Sequence, residues 1–195
     1  MQINGKKIKL LGVKYSFWGN LSAKIVNRII NLGAKEVIYF GKMGTMLNPE
    51  DIYKKLYSPT KYSVVYHDKL VCVIDGLENS LVKLFPELES GMHTSVPTIL
   101  EEDFIQRDLL DSLNSNSIDN EISQIAYTIK KFNDDYRRGV KYSCIHFPTD
   151  YIRHIEKAEI LTDHDLSNNR TFVALEKKNI IIQEACRYIV KYLKS

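Results

Sequence analysis

The sequence is poor in cysteine, and the three it has cannot frame a fold. Cys72, Cys144 and Cys186 form an odd, widely separated set inside apolar segments. Such a set suits neither a disulfide framework nor a zinc site, so reduced core thiols are expected. Long apolar runs are also missing. No stretch approaches the roughly 20 residues needed to span a bilayer, and Met1 to Lys7 lacks the apolar core of a secretory signal. A soluble cytoplasmic protein with no membrane partner is therefore expected. Charge of one sign is absent too: 27 Lys and Arg face 24 Asp and Glu, spread along the chain, for a formal net charge of +3. Without a basic stripe there is no footprint for nucleic acid, and a small-molecule partner is expected. His67, His93, His146, His154 and His164 lack metal-ligand spacing, so each is expected to be a hydrogen-bonded structural histidine. No metal or organic cofactor is implied. Internal repeats and low-complexity tracts are absent as well.

What is present suits one α/β domain over residues 1–195, since 195 residues with 44% hydrophobic side chains can bury a real core. Ile8 to Val13 reads as a short strand, and Leu21 to Leu32 as a helix with Ile25, Val26, Ile29 and Ile30 at helical spacing. Asn20 or Ser22 is placed to cap that helix, and Gly33 to end it. Glu36 to Phe40 resumes as a buried strand, which would complete a right-handed βαβ unit. Tyr62 to Tyr66 and Leu70 to Ile74, around His67-Asp68-Lys69, predict a hairpin. Leu77 to Pro86 reads as helix, His93 to Thr98 as strand, and Leu100 to Leu113 as helix. Asn114 to Ser117 reads as a loop, Ile118 to Phe132 as a helix, and Asn133 to Gly139 as a turn. Val140 to Phe147 is a strand, 151–169 a polar connection, and Thr171 to Leu193 one amphipathic helix.

The chemistry-bearing residues lie around two of these segments. Asp119, Asn120 and Glu121 stand at the expected start of a helix, and the following strand delivers Thr149 and Asp150 at its C-terminal tip, where open α/β sheets bind ligands. Alone, Asp119 suits a helix cap, Glu121 a favourable charge on the helix dipole, and Asp150 a turn residue. Lys42 between Gly41 and Gly44 suits either an anion contact or a surface position. Tyr15, Phe17 and Trp18 could stack a base or pack in a core or interface.

Four segments in order resemble the nucleoside phosphorylase and nucleosidase superfamily. Ser22-Ala-Lys-Ile-Val26 with Leu32-Gly-Ala-Lys-Glu-Val-Ile38 looks like the helix and strand before the family's glycine turn, and Gly41-Lys-Met-Gly44 looks like that turn. Ser95-Val-Pro-Thr98 is similar to the strand bordering base and sugar. Ile118-Asp-Asn-Glu121 resembles Val-Glu-Met-Glu, and Gly139 to Asp150 resembles the strand ending in Ser-Asp. The resemblance implies a central mixed sheet flanked by helices and cleavage of a nucleoside N-glycosidic bond. It implies a homo-oligomer and a substrate site including Ser95, Gly41, Lys42, Asp119, Asn120, Glu121 and Thr149. Glu121 would bind ribose hydroxyls, and Asp150 would protonate the departing base. Asp163, in a Thr-Asp-His run, is the alternative acid.

The departures from this pattern carry their own expectations. Tyr39-Phe40 stands where phosphorylases place a phosphate-holding arginine, and Lys42 replaces a small hydroxyl residue. The chain opens on what looks like a later strand of the family, so a counterpart of the family's first strand and glycine-rich phosphate loop is not expected in it. Water is therefore expected as the acceptor rather than phosphate. Asn120 replaces a methionine beside the ribose, which makes an apolar contact polar.

Overall fold

The computed structural model describes residues 1–13, 19–97, 104–152 and 172–195. A small hairpin, β1 (Gln2–Ile3) with β2 (Lys6–Lys7), precedes helix α1 (Asn20–Asn31). The main strands are β3 (Glu36–Thr45), β4 (Lys61–Tyr66), β5 (Lys69–Ile74), β6 (Met92–Ser95), β7 (Ser115–Asp119) and β8 (Lys141–Tyr151). They form one six-stranded sheet in the order β5-β4-β6-β7-β3-β8. Pairing is mixed: β4–β5 and β3–β7 are antiparallel, and β4–β6, β6–β7 and β3–β8 are parallel. Helices α2 (Ser80–Leu84), α3 (Phe104–Ser112), α4 (Ile122–Tyr136) and α5 (Phe172–Lys194), with a short 3-10 helix at Pro49–Asp51, complete the described elements. The expected α/β architecture with a central mixed sheet flanked by helices is the one observed.

Burial explains the layers. In α4, Ile122, Ile125, Ala126 and Ile129 recur at helical spacing and are buried, a stripe that must face a core. They pack with Val26 and Ile30 of α1 against Tyr142 and Cys144 of β8. On the other face, Ile145 and Phe147 alternate with those residues and meet Leu81 of α2 and Ile181 and Ala185 of α5. The β4–β5 hairpin turns at His67 and Asp68, both with positive φ (46° and 57°), the backbone that two-residue hairpin loops need.

The sheet is curled rather than flat. Two strands separate β6 from β8, which in a flat sheet sets them about 14 Å apart. Yet the rings of His93 and His146 lie with centroids 5.2 Å apart. Tyr57 helps the curl by bridging His146 on one side and Glu89 on the other.

Several expectations need correction. Ile8 to Val13 forms no strand: Leu10 and Leu11 are exposed, and β3 already has β7 and β8 on its two sides. The expected opening βαβ unit is therefore absent, and β3 takes β8 as its parallel partner. No side chain caps α1; its N-cap is Gly19, to whose carbonyl Ser22 Oγ donates at 2.7 Å. Gly41 to Gly44 is not a turn, because the β3–β8 ladder runs through it with one bulge after Met43. Asn114 to Ser117 is not a loop. Ser115 and Ser117 enter β7 because Thr94 Oγ1 and His93 Nδ1 satisfy their hydroxyls at 2.8 and 2.7 Å. The following helix starts at Ile122, not Ile118, and runs to Tyr136 through most of the expected turn, ending on left-handed Arg137. The helix expected over Leu77 to Pro86 is confined to α2, whose start Asn79 caps by accepting from the N–H groups of Leu81 and Val82. Cys144 is buried as expected of a core thiol, but Cys186 is exposed. Among the described residues, no helix is long and apolar enough to cross a membrane.

Candidate active site

The site is built around β3, because both carboxylate-bearing segments flank it. Gly44 pairs with Ile118 of β7 on one side and Asp150 of β8 on the other. Two strand spacings put those backbones about 10 Å apart. The glycine leaves room for its neighbours: a Cβ on Gly44 would lie 2.5 Å from Ile152 Cδ1 and 3.0 Å from Asp150 Oδ2, so a side chain there would push both aside. Asp150 is partly exposed, and Thr149, which is buried, donates to its Oδ1 at 2.7 Å.

Beyond Ile118 the chain turns from β7 into α4 through Asp119, Asn120 and Glu121. Asp119 is buried, and its Oδ1 accepts from His93 Nε2 (2.8 Å), Ser95 Oγ (2.5 Å), and the N–H groups of Glu121 (3.0 Å) and Ile122 (3.1 Å). Burial opposes its charge, but His93 and Ser95 outweigh burial and hold its carboxyl below the usual range. Asn120 Nδ2 donates to the Val96 carbonyl at 3.0 Å, and Ser95 Oγ also accepts from Ser123 N–H at 2.8 Å. The polar side-chain groups of Asp119 and Ser95 and the Asn120 amide thus make bonds within the protein.

Glu121 is more open. It occupies the N-cap of α4 without a side-chain capping bond and is partly exposed. Burial first, then the charge of Asp119 and a side-chain hydrogen bond with it, push its carboxyl up to about 9, against the pull of the Asn120 backbone and of Lys42. Glu121 therefore holds a proton at neutral pH. Lys42 is exposed on β3. Tyr39 lies over Gly41, where a Cβ would come within 2.6 Å of its hydroxyl. Burial, then the charges of Asp119 and Glu121, raise the Tyr39 phenol far above its usual range, so it stays neutral.

The structure thus gathers Ser95, Asp119, Asn120 and Glu121 at one turn, sets Gly41 and Lys42 on β3, and puts Thr149 and Asp150 on β8. Asp163, His154, His164, Tyr15, Phe17, Trp18 and Thr98 lie outside the described residues. Sequence reasoning missed Tyr39 as a neighbour of the carboxylates, and it missed the joining of His93 and Ser95 to Ser117 and Asp119. The readable signal was the i, i+2 spacing of polar residues in both segments, which puts each pair on one face of a strand.

His146 overturns the expectation of a hydrogen-bonded histidine: it is fully buried, and among the described residues neither ring nitrogen has a hydrogen-bond partner. It packs between the rings of Tyr57 and His93. Burial, then the charge of His93, press it down to about 3 from 6.5, against the pull of Asp119. The unfolded chain binds this proton below about 6.5 but the folded one resists until about 3, so stability is full above 6.5 and drains as pH falls toward 3. Between pH 7.5 and 4.5, His146→Phe should lose about 2 to 3 kcal/mol less stability than the wild type in urea unfolding. Equal losses would show that His146 is not held neutral.

A cavity of 280 Å³ lies elsewhere, lined by Ile30, Gly33, Lys35, Phe132, Arg138 and Val140, at the ends of β3 and β8 away from Asp150.

Comparison with known proteins sets this geometry in context. No family model matches the chain. It is 31% identical over 189 residues to oxidoreductase cns1 of Cordyceps militaris, covering 93% of this chain and 24% of that protein. The chain thus spans about a quarter of that relative's length. Among solved structures, it resembles the 5′-methylthioadenosine nucleosidase of Arabidopsis thaliana (TM-score 0.64, 14% identity, 91% of this chain and 70% of that one). A putative methylthioadenosine nucleosidase from Weissella paramesenteroides follows (0.62, 13%, 91% and 76%). So does the futalosine hydrolase of Helicobacter pylori (0.57, 14%, 91% and 74%). At these identities the likeness establishes the fold, an α/β sheet of the nucleosidase and phosphorylase type.

Proposed function

We propose that the chain, as one domain, hydrolyses the N-glycosidic bond of a nucleoside or related N-riboside. The reading rests chiefly on one observation: Glu121 and Asp150 are carried by the segments flanking β3 at its glycines, in a fold shared with nucleosidases. In the proposed reaction the C1′–N bond breaks and its electron pair leaves with the base. Asp150 supplies the proton to that base, and Glu121, which gives up its proton to solvent when the substrate binds, accepts hydrogen bonds from the ribose hydroxyls. A water oxygen bonds to C1′ and loses a proton, which restores Asp150. Positive charge on the sugar and negative charge on the base grow only toward the transition state, so carboxyl groups aimed at each accelerate the step.

Tyr39 supports water as the acceptor. A neutral phenol over Gly41 offers a phosphate far less than an arginine fork would, and exposed Lys42 alone is a weak anion site. Base release should therefore proceed in phosphate-free buffer with free ribose as product. Strict phosphate dependence with ribose 1-phosphate as product would overturn the hydrolytic reading.

A second reading is a nucleoside-binding domain without turnover. It is favoured by the match to part of a much longer protein named an oxidoreductase, since a fold does not carry activity with it. A screen of purine and pyrimidine nucleosides for base release and for binding separates the two: binding without release in either buffer selects the second.

A further inference from the structure

Asp119 is the hub of the turn that presents Glu121. Besides the four bonds to its Oδ1, its Oδ2 accepts from the Ile122 N–H at 3.1 Å. Of the two side-chain donors, Ser95 is a single-bond rotor. His93 is a ring tied at both ends: Nε2 to Asp119 at 2.8 Å and Nδ1 to Ser117 Oγ at 2.7 Å. Ser117 and Asp119 share one face of β7, so the imidazole spans both and has one orientation. The pair is out of water, with side-chain exposures of 0% for His93 and 3% for Asp119. A carboxylate only accepts, so Nε2 must carry the proton it shares with Asp119. On its other side His93 packs against the ring of His146, which leaves it little room to rotate.

We propose that His93 is a positioning residue for Glu121: by locking the Asp119 carboxylate, it fixes the first turn of α4 and hence where Glu121 meets the hydroxyls of a nucleoside. What Glu121 binds rests on the nucleoside reading; how Glu121 is held does not.

Two substitutions divide the ring's functions. The amide nitrogen of glutamine reaches about as far as Nε2 and can still donate to Asp119; that of asparagine reaches about as far as Nδ1 and can bond only toward Ser117. Asparagine leaves the larger hole, so a purely structural His93 predicts a loss spread over all of β6 and α4, whereas a positioning role predicts one concentrated at the amides that Asp119 holds. Amide hydrogen exchange at Glu121 and Ile122 should quicken about tenfold or more in His93→Asn and stay within about threefold of wild type in His93→Gln, because only the former frees the Asp119 carboxylate. Adenosine affinity, read by calorimetry, should follow the same order. Equal exchange in the two variants would overturn the proposal. Should wild type bind no nucleoside, the nucleoside reading of Glu121 fails, and the exchange contrast still decides whether His93 fixes the turn. Should His93→Asn not fold, Ser95→Ala decides: the Ser123 amide alone should loosen while those of Glu121 and Ile122 stay protected by His93. Loosening of all three would overturn the proposal.

Discussion

Asp150→Asn is expected to cut base release by about 10²- to 10⁴-fold, the usual contribution of a general acid. Asparagine keeps the shape of the side chain and the Oδ1 acceptor that Thr149 uses, so stability should change by no more than about 1 kcal/mol. What it loses is the transferable proton. The departing base would then have to leave as an anion or take its proton from water, which raises the barrier without touching ground-state contacts. Hence kcat should fall with KM little changed. The comparison that decides the assignment is Asp163→Asn. If that variant is inactive while Asp150→Asn turns over normally, the acid comes from the segment after β8.

Much of the fold was legible because burial writes itself as periodicity. The helical stripes of α1 and α4, the β4–β5 hairpin and the apolar run of β8 all follow from spacing alone. Where sequence reading failed, polar or unpaired segments had partners far away in the chain. Ser115 and Ser117 look like loop residues until Thr94 and His93, on the neighbouring strand, satisfy them. Conversely, Ile8 to Val13 looks like a strand, but both sides of β3 are taken by strands late in the sequence. At the site, the Asp119-Asn120-Glu121 cluster was visible as a motif. The capping half of Asp119's work was legible too, since it accepts from the Glu121 and Ile122 N–H groups; its bonds to His93 and Ser95 were not, because those residues come from β6, far off in the chain. Gly41 shows the same limit. As a motif it suggested a turn, whereas its lack of a side chain makes room for Tyr39, a need no local pattern expresses.

Glu121 should show the largest effect on binding, and with an unusual pH signature. Above about pH 9, where the carboxyl is already ionised, Glu121→Ala is expected to weaken a riboside by about 10- to 100-fold, since hydrogen bonds to a charged group contribute about 1.5 to 3 kcal/mol. A 2′-deoxy analogue, lacking one of the hydroxyls, should lose less. In the free protein the carboxyl is pushed up to about 9, so a ligand that prefers the ionised form must displace a proton. Affinity for the riboside should therefore rise with pH from about 7 to 9, by up to roughly tenfold per unit, and flatten above. Glu121→Gln cannot ionise and should bind with no such slope. Folding stability runs the opposite way. The folded chain keeps the Glu121 proton while the unfolded chain releases it above about 4.5, so this contribution is full below 4.5 and is lost as pH climbs toward 9. Calorimetry in buffers of different ionisation enthalpy tests the coupling directly. Wild type should release a proton on binding at pH 7 and Glu121→Gln should not. Equal proton counts, or equal losses for the riboside and its deoxy analogue, would remove Glu121 from hydroxyl recognition.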